Sequence, residues 1–133
     1  MGFFFKESMS LTQRQIESFE KNGYLVLENF VSQEDCNKLR VRASEIVKDF
    51  NSSESVTIFT TNEQTRHSDR FFLESGDKIR CFFEEEAFDE NGDLKQPKEF
   101  SINKIGHAMH DLDPIFDSFS RTEELEAVAK DVG

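Results

Sequence analysis

One apolar stripe constrains this chain more than any other feature. Cys36, Leu39, Ala43, Ile46, Val47 and Phe50 recur at spacings of three and four, which gathers them on one face of an α-helix. Ser32 stands before the stripe as an N-cap with Asp35 at N3, and Val31 is set to meet Cys36 across the first turn. Such a helix gains its stability from whatever covers the stripe, a sheet or further helices.

An earlier helix follows the same grammar. Thr12 and Gln15 form a capping box, Leu11 and Ile16 a hydrophobic staple, and Gly23 tolerates the left-handed conformation that ends a helix. Tyr24-Leu25-Val26-Leu27 is too short for a helix and predicts a strand. After the long helix, residues 51–55 are a polar break, 56–59 predict a strand and 60–70 a polar loop. Ser75-Gly76-Asp77 makes a turn. Behind it Ile79, Cys81 and Phe83 alternate with Lys78, Arg80 and Phe82, the pattern of a half-buried strand. Asn91-Gly92 signals a hairpin joining a strand over 82–88 to a short one near Leu94.

Past Pro97 the spacing predicts helices. Ile102, Ile105, Met109 and Leu112 share a helical face, which puts Lys104 near a helix start. Asp113-Pro114 opens another helix as cap and N1, with Ile115, Phe116 and Phe119 apolar. Thr122 caps a last one carrying Leu125, Val128, Ala129 and Val132. The order implies an α+β fragment with too few strands to close a barrel, or an α-rich layer that packs on a sheet not present here. Residues 1–10 read as a tail and 11–133 as one domain.

Charge and cysteine content narrow the partners. A formal net charge of −11 argues against nucleic acid and anionic membrane, both of which need a basic footprint. Cys36 and Cys81 match no metal-ligand spacing and read as reduced thiols of a cytoplasmic protein. No apolar run approaches the twenty or so residues that cross a membrane. Met1-Gly2 invites a lipidation reading, which Lys6 weakens by standing where Ser or Thr is preferred. Fifteen Phe against one Tyr and no Trp hint at an aromatic surface that something else covers.

Several clusters carry possible chemistry. His67-Ser68-Asp69 has the His-x-Asp form of a two-histidine, one-carboxylate iron site, but falls in the polar 60–70 loop, where rigid support is absent. His107 and Asp111 stand four apart on the expected helix with His110 beside them; lacking an intervening Glu, they read as helix-surface polarity, with one imidazole buried and hydrogen-bonded. Asp89-Glu90-Asn91-Gly92-Asp93 has its Gly two places early for a calcium loop and reads as a turn. Glu84, Glu85 and Glu86 read as a solvated strand end.

Two stretches resemble a known family. Residues 15–30, with helix, Gly23 turn and Leu-Val-Leu run, are similar to the opening of phytanoyl-CoA dioxygenase-like proteins. Ser75-Gly76-Asp77-Lys78-Ile79-Arg80, Phe82-Phe83-Glu84, residues 101–109 and Asp113-Pro114 carry the more specific likeness. The resemblance implies the N-terminal helices and first strands of a double-stranded β-helix (jelly roll). It implies an Fe(II)/2-oxoglutarate-dependent hydroxylase, with Lys104 matching a lysine that contacts 2-oxoglutarate. It also implies that the iron-binding His-x-Asp, the distal His and a co-substrate Arg lie past Gly133, so that no metal ligand or catalytic residue is assigned here. By the same resemblance His67-Ser68-Asp69 falls in a variable loop. The expectation is a portion inactive alone that binds neither iron nor co-substrate tightly, its substrate an unidentified small molecule. A non-enzymatic acidic interaction module, or a regulatory short isoform, is the alternative.

Overall fold

The computed structural model describes residues 10–51, 58 and 70–133. Helix α1 (Gln13–Asn22) starts as its capping box dictates: Thr12 Oγ1 accepts from the Gln15 N–H, and Gln15 Oε1 accepts from the Thr12 N–H at 2.8 Å. Gly23 ends it at φ 77°, donating its N–H to the Phe19 carbonyl. Helix α2 (Gln33–Asp49) is capped by Ser32, whose hydroxyl accepts from the Asp35 N–H and donates to Asp35 Oδ2. The whole 36–50 stripe is turned inward, with Val47 buried. At its far end the Lys98 ammonium donates to the carbonyls of Lys48 (2.8 Å) and Phe50 (2.6 Å). A cation there complements the negative end of the helix dipole.

Among the described residues two antiparallel strands form the sheet, β1 (Ile79–Phe83) and β2 (Ile102–His107). Cys81 opposes Ile105, Phe82 opposes Lys104 and Arg80 opposes Gly106; an irregularity after Phe82 then pairs Phe83 with Ile102. Because side chains alternate across a strand, Arg80, Phe82, Lys104 and Gly106 share one face. Cys81 and Phe83 take the other, where Phe83 meets Phe50 of the α2 end at 5.8 Å and Phe88 at 4.9 Å between ring centroids. The short helix α3 (Arg70–Leu73) covers the first face, with Phe71 and Phe72 each 5.7 Å from Phe82. Phe82 and Phe83 are therefore both fully buried, and the half-buried expectation for β1 is corrected: two layers, not one, flank it.

The remaining α-helices among the described residues are α4 (Met109–Leu112), α5 (Pro114–Ser120) and α6 (Glu123–Val132). Asp113 caps α5 through the N–H groups of Ile115 and Phe116, and Thr122 caps α6. α6 packs on α1, where the Leu11 N–H donates to Asp131 Oδ2 at 2.5 Å.

Three expectations are corrected. Residues 102–107 are a strand rather than a helix. The irregularity after Phe82 leaves Asn103 without an opposing partner, so Ile102 and Ile105, three apart, fall on one sheet face and mimic a helical period. Tyr24 and Val26 are 67% and 71% exposed while Leu25 and Leu27 turn inward, an extended alternation with no ladder partner among the described residues. The 89–93 turn forms, with Gly92 at φ 86° and Asp89 Oδ1 accepting from the N–H groups of Asn91 and Asp93. Its strands shrink to a single Phe88–Leu94 bridge, because β1 leaves the ladder at Phe83. Of residues 56–69, only Ile58 is described, bridging in parallel to Phe83; the rest of the expected 56–59 strand, the 60–70 loop up to Arg70, and His67 and Asp69 lie outside the described residues.

Candidate functional site

The only residue that resemblance assigned to a ligand, Lys104, stands in the middle of β2 on the face beneath α3. A strand interior holds a side chain more firmly than the helix start expected for it. The backbone is fixed by the ladder, and alternation decides which face the side chain takes. Lys104 is half-buried and its ammonium lies 5.8 Å from the Phe72 ring centroid, over the ring face. An aromatic face attracts a cation and excludes water from it.

Helix α3 is tied to the sheet by its own carbonyls. The Arg80 guanidinium lies 4.1 Å from the Phe71 ring centroid and donates to the Phe71 carbonyl. Lys78 donates to the Glu74 carbonyl at 2.7 Å. Ser75, fully buried, donates its hydroxyl proton to the Phe72 carbonyl and sits 2.8 Å from His107 Nδ1. One hydroxyl has one proton, so with that proton committed to Phe72 the serine accepts from an Nδ1–H of His107. The His107 ring packs edgewise on Phe72 and Phe82 at 5.5 and 5.9 Å.

His107 thus closes β2 beside Lys104 rather than sharing a helical face with Asp111. Asp111 is exposed on α4 and receives Arg121 at 2.6 Å, and His110 is exposed beside it. The sequence expected one imidazole of the 107–110 run to be buried and hydrogen-bonded, and His107 is half-buried and held by Ser75. It did not single out Phe72, Ser75 or Gly106. Gly106 carried a signal, since a glycine inside a strand marks a close approach; the helical reading of 102–109 hid it.

Asp89 is held below the usual carboxylate range by the Asp93 and Asn91 N–H groups, against burial. Burial pushes the Cys81 thiol up, with nearby Lys98 opposing. Among the described residues no three His, Cys, Asp or Glu side chains converge. Clefts of about 830 Å³, between α2 and α5–α6, and about 760 Å³, beside Glu84, Glu85 and Glu86, are lined by neither Lys104 nor the α3 rings. No helix among the described residues is long and apolar enough to cross a membrane. What the Lys104 face offers chemically is the Lys104 ammonium on a rigid strand beside apolar walls, with the Arg80 guanidinium on the same face turned to Phe71, a setting suited to a carboxylate.

The profile of the family described as phytanoyl-CoA dioxygenase (PhyH) matches residues 19–132. A phytanoyl-CoA dioxygenase of Arabidopsis thaliana is 44% identical over 124 residues, 93% of this chain and 44% of that protein. Phytanoyl-CoA dioxygenase 1 of Oryza sativa subsp. japonica is 47% identical over 111 residues, 84% of this chain and 39% of its own length. Phytanoyl-CoA dioxygenase domain-containing protein 1 of Bos taurus is 41% identical over 128 residues, 92% and 44% respectively. The chain spans less than half the length of these relatives. With the profile running from α1 to the end of α6, this chain belongs to the phytanoyl-CoA dioxygenase family.

Proposed function

We propose that this chain is the N-terminal, co-substrate-side portion of an Fe(II)/2-oxoglutarate-dependent dioxygenase, with β1 and β2 opening a double-stranded β-helix. The observation that carries the reading is Lys104 at mid-strand, its ammonium over the Phe72 ring on the covered face of the sheet. There the lysine pairs with a carboxylate of 2-oxoglutarate, while Phe72 and Phe82 keep water from the pair. A compact ammonium suits that role as a point charge.

Iron fits the described residues less well, since no three candidate ligands converge among them. No described residue is assigned to hold it. The metal, when bound in a complete domain, supplies the oxidising chemistry; this chain supplies charge, orientation and dryness at one end of the oxoacid. Free Cys36 and Cys81 support a reducing, cytoplasmic setting.

Two measurements test this. The 133-residue chain supplied with ferrous iron and 2-oxoglutarate makes no succinate; sustained turnover would sink the reading. In a chimera carrying residues 11–133 in place of the matching segment of the Arabidopsis relative, Lys104→Met raises the KM for 2-oxoglutarate roughly tenfold and changes kcat much less. An unchanged KM removes Lys104 from the site. Exposed Tyr24, Val26 and Phe100 favour a second reading, a non-enzymatic interaction module. A folded monomer in which 2-oxoglutarate perturbs nothing near Lys104 would select it.

A further inference from the structure

Gly106 is buried inside β2, two residues from Lys104 on the same face. Its φ lies outside the left-handed region, so the backbone does not need a glycine there. Space does. A Cβ built on Gly106 would stand 3.1 Å from Lys104 Cε and 3.9 Å from both Cδ and Cγ, and these are its three nearest neighbours. Relaxed carbon–carbon contact is about 3.5–4.0 Å, so the lysine chain lies in the room the missing side chain leaves. The opposing residue, Arg80, is turned to Phe71 and its carbonyl, and the His107 ring is held by Ser75. The lysine stem runs along the sheet over Gly106, with its ammonium at the Phe72 ring.

We propose that Gly106 is a positioning residue: its missing side chain is the channel that aims the Lys104 ammonium at the Phe72 wall, where the oxoacid carboxylate would be met. The role of that carboxylate rests on the function proposed above; the aiming of Lys104 does not. A Cβ at 106 is too close to Cε where the stem now lies, so the stem gives way by a few tenths of an ångström and the ammonium shifts relative to the ring. Displacements of about 1 Å at a charged recognition group are enough to cost an order of magnitude or more.

The experiment follows the Lys104 εCH₂ resonances in the full chain by lysine-selective carbon labelling. Over an aromatic face these protons are shifted upfield, and Phe72→Leu identifies the signal by removing that shift. Gly106→Ala is expected to reduce the shift measurably with Phe72 intact. An alanine variant that keeps the wild-type shift overturns the proposal. If Gly106→Ala fails to fold, Lys104→Ala/Gly106→Ala is the deciding variant. It regains the fold if the new Cβ conflicts with the lysine alone, and a double variant that stays unfolded overturns the assignment. Titration with 2-oxoglutarate then separates the two claims. Perturbation of the Lys104 signal in wild type, weakened roughly tenfold in Gly106→Ala, supports both. A ring shift changed in Gly106→Ala, together with an unchanged KM for 2-oxoglutarate in the Lys104→Met chimera, upholds Gly106 and refutes the co-substrate reading.

Discussion

Asp113 Oδ2 accepts a hydrogen bond from Arg42 Nε at 2.6 Å, while its other oxygen takes the N–H groups of Ile115 and Phe116. One buried carboxylate thus joins the middle of α2 to the start of α5 across 71 residues of sequence. Burial raises the cost of its charge; the Arg42 hydrogen bond and the two backbone donors outweigh that and hold its pKa below the usual carboxylate value.

Replacing Asp113 by Ala removes a helix cap and strands Arg42 beside buried surface. The expected loss is about 2 kcal/mol of unfolding free energy, read from urea denaturation. A loss under about 0.5 kcal/mol would mean that the α2–α5 joint does not depend on this residue.

The same carboxylate fixes a pH dependence. Its folded pKa is depressed, so the unfolded chain binds more protons between the two values. Its contribution is therefore complete above the unfolded carboxyl value of about 3.9 and fades as pH falls through the lower folded value. The stability gap between wild type and Asp113→Asn should be constant from about pH 5 to 7 and shrink below about pH 4. A gap that widens in acid would contradict the sign.

Phe82 and Phe100 test where the core lies. Phe82 is fully buried between Phe71, Phe72 and the His107 ring, whereas Phe100 is 68% exposed. Phe82→Ala should cost about 3–5 kcal/mol by opening a cavity, enough to threaten folding. Phe100→Ala should change stability by no more than about 0.5 kcal/mol. Thermal denaturation followed by circular dichroism compares the two directly.

The thiols should differ in reactivity. Cys81 is buried with its pKa raised, and the thiolate is the reactive form; Cys36 is half-buried near the start of α2. Under native conditions near pH 8, iodoacetamide should alkylate Cys36 at least about tenfold faster than Cys81, as mass spectrometry of the peptides would show. Equal rates would place Cys81 at an accessible surface.

Short-range chemistry made the helices legible. Thr12 with Gln15, Ser32 with Asp35, Asp113 with Pro114, and Gly23 each act on backbone groups within four residues, so type and spacing suffice to place the ends of these helices. The turn at Asn91-Gly92 was readable for the same reason. The site was legible only in part. The likeness offered Lys104 as a candidate, but its surroundings were assigned to the wrong element, because the irregularity at Asn103 gave Ile102 and Ile105 a helical spacing on one face of a strand.

By itself, then, the sequence determined the caps, the stops, the inward stripe of α2 and the family likeness. Tertiary structure alone decided that 102–107 pairs with 79–83, that α3 lies over the resulting sheet, and that Lys104 runs across Gly106 to Phe72. Local signals are written in neighbouring side chains and their own backbone. Register, the covering of both faces of β1 and the course of a long lysine depend on partners tens of residues away, which no local period records.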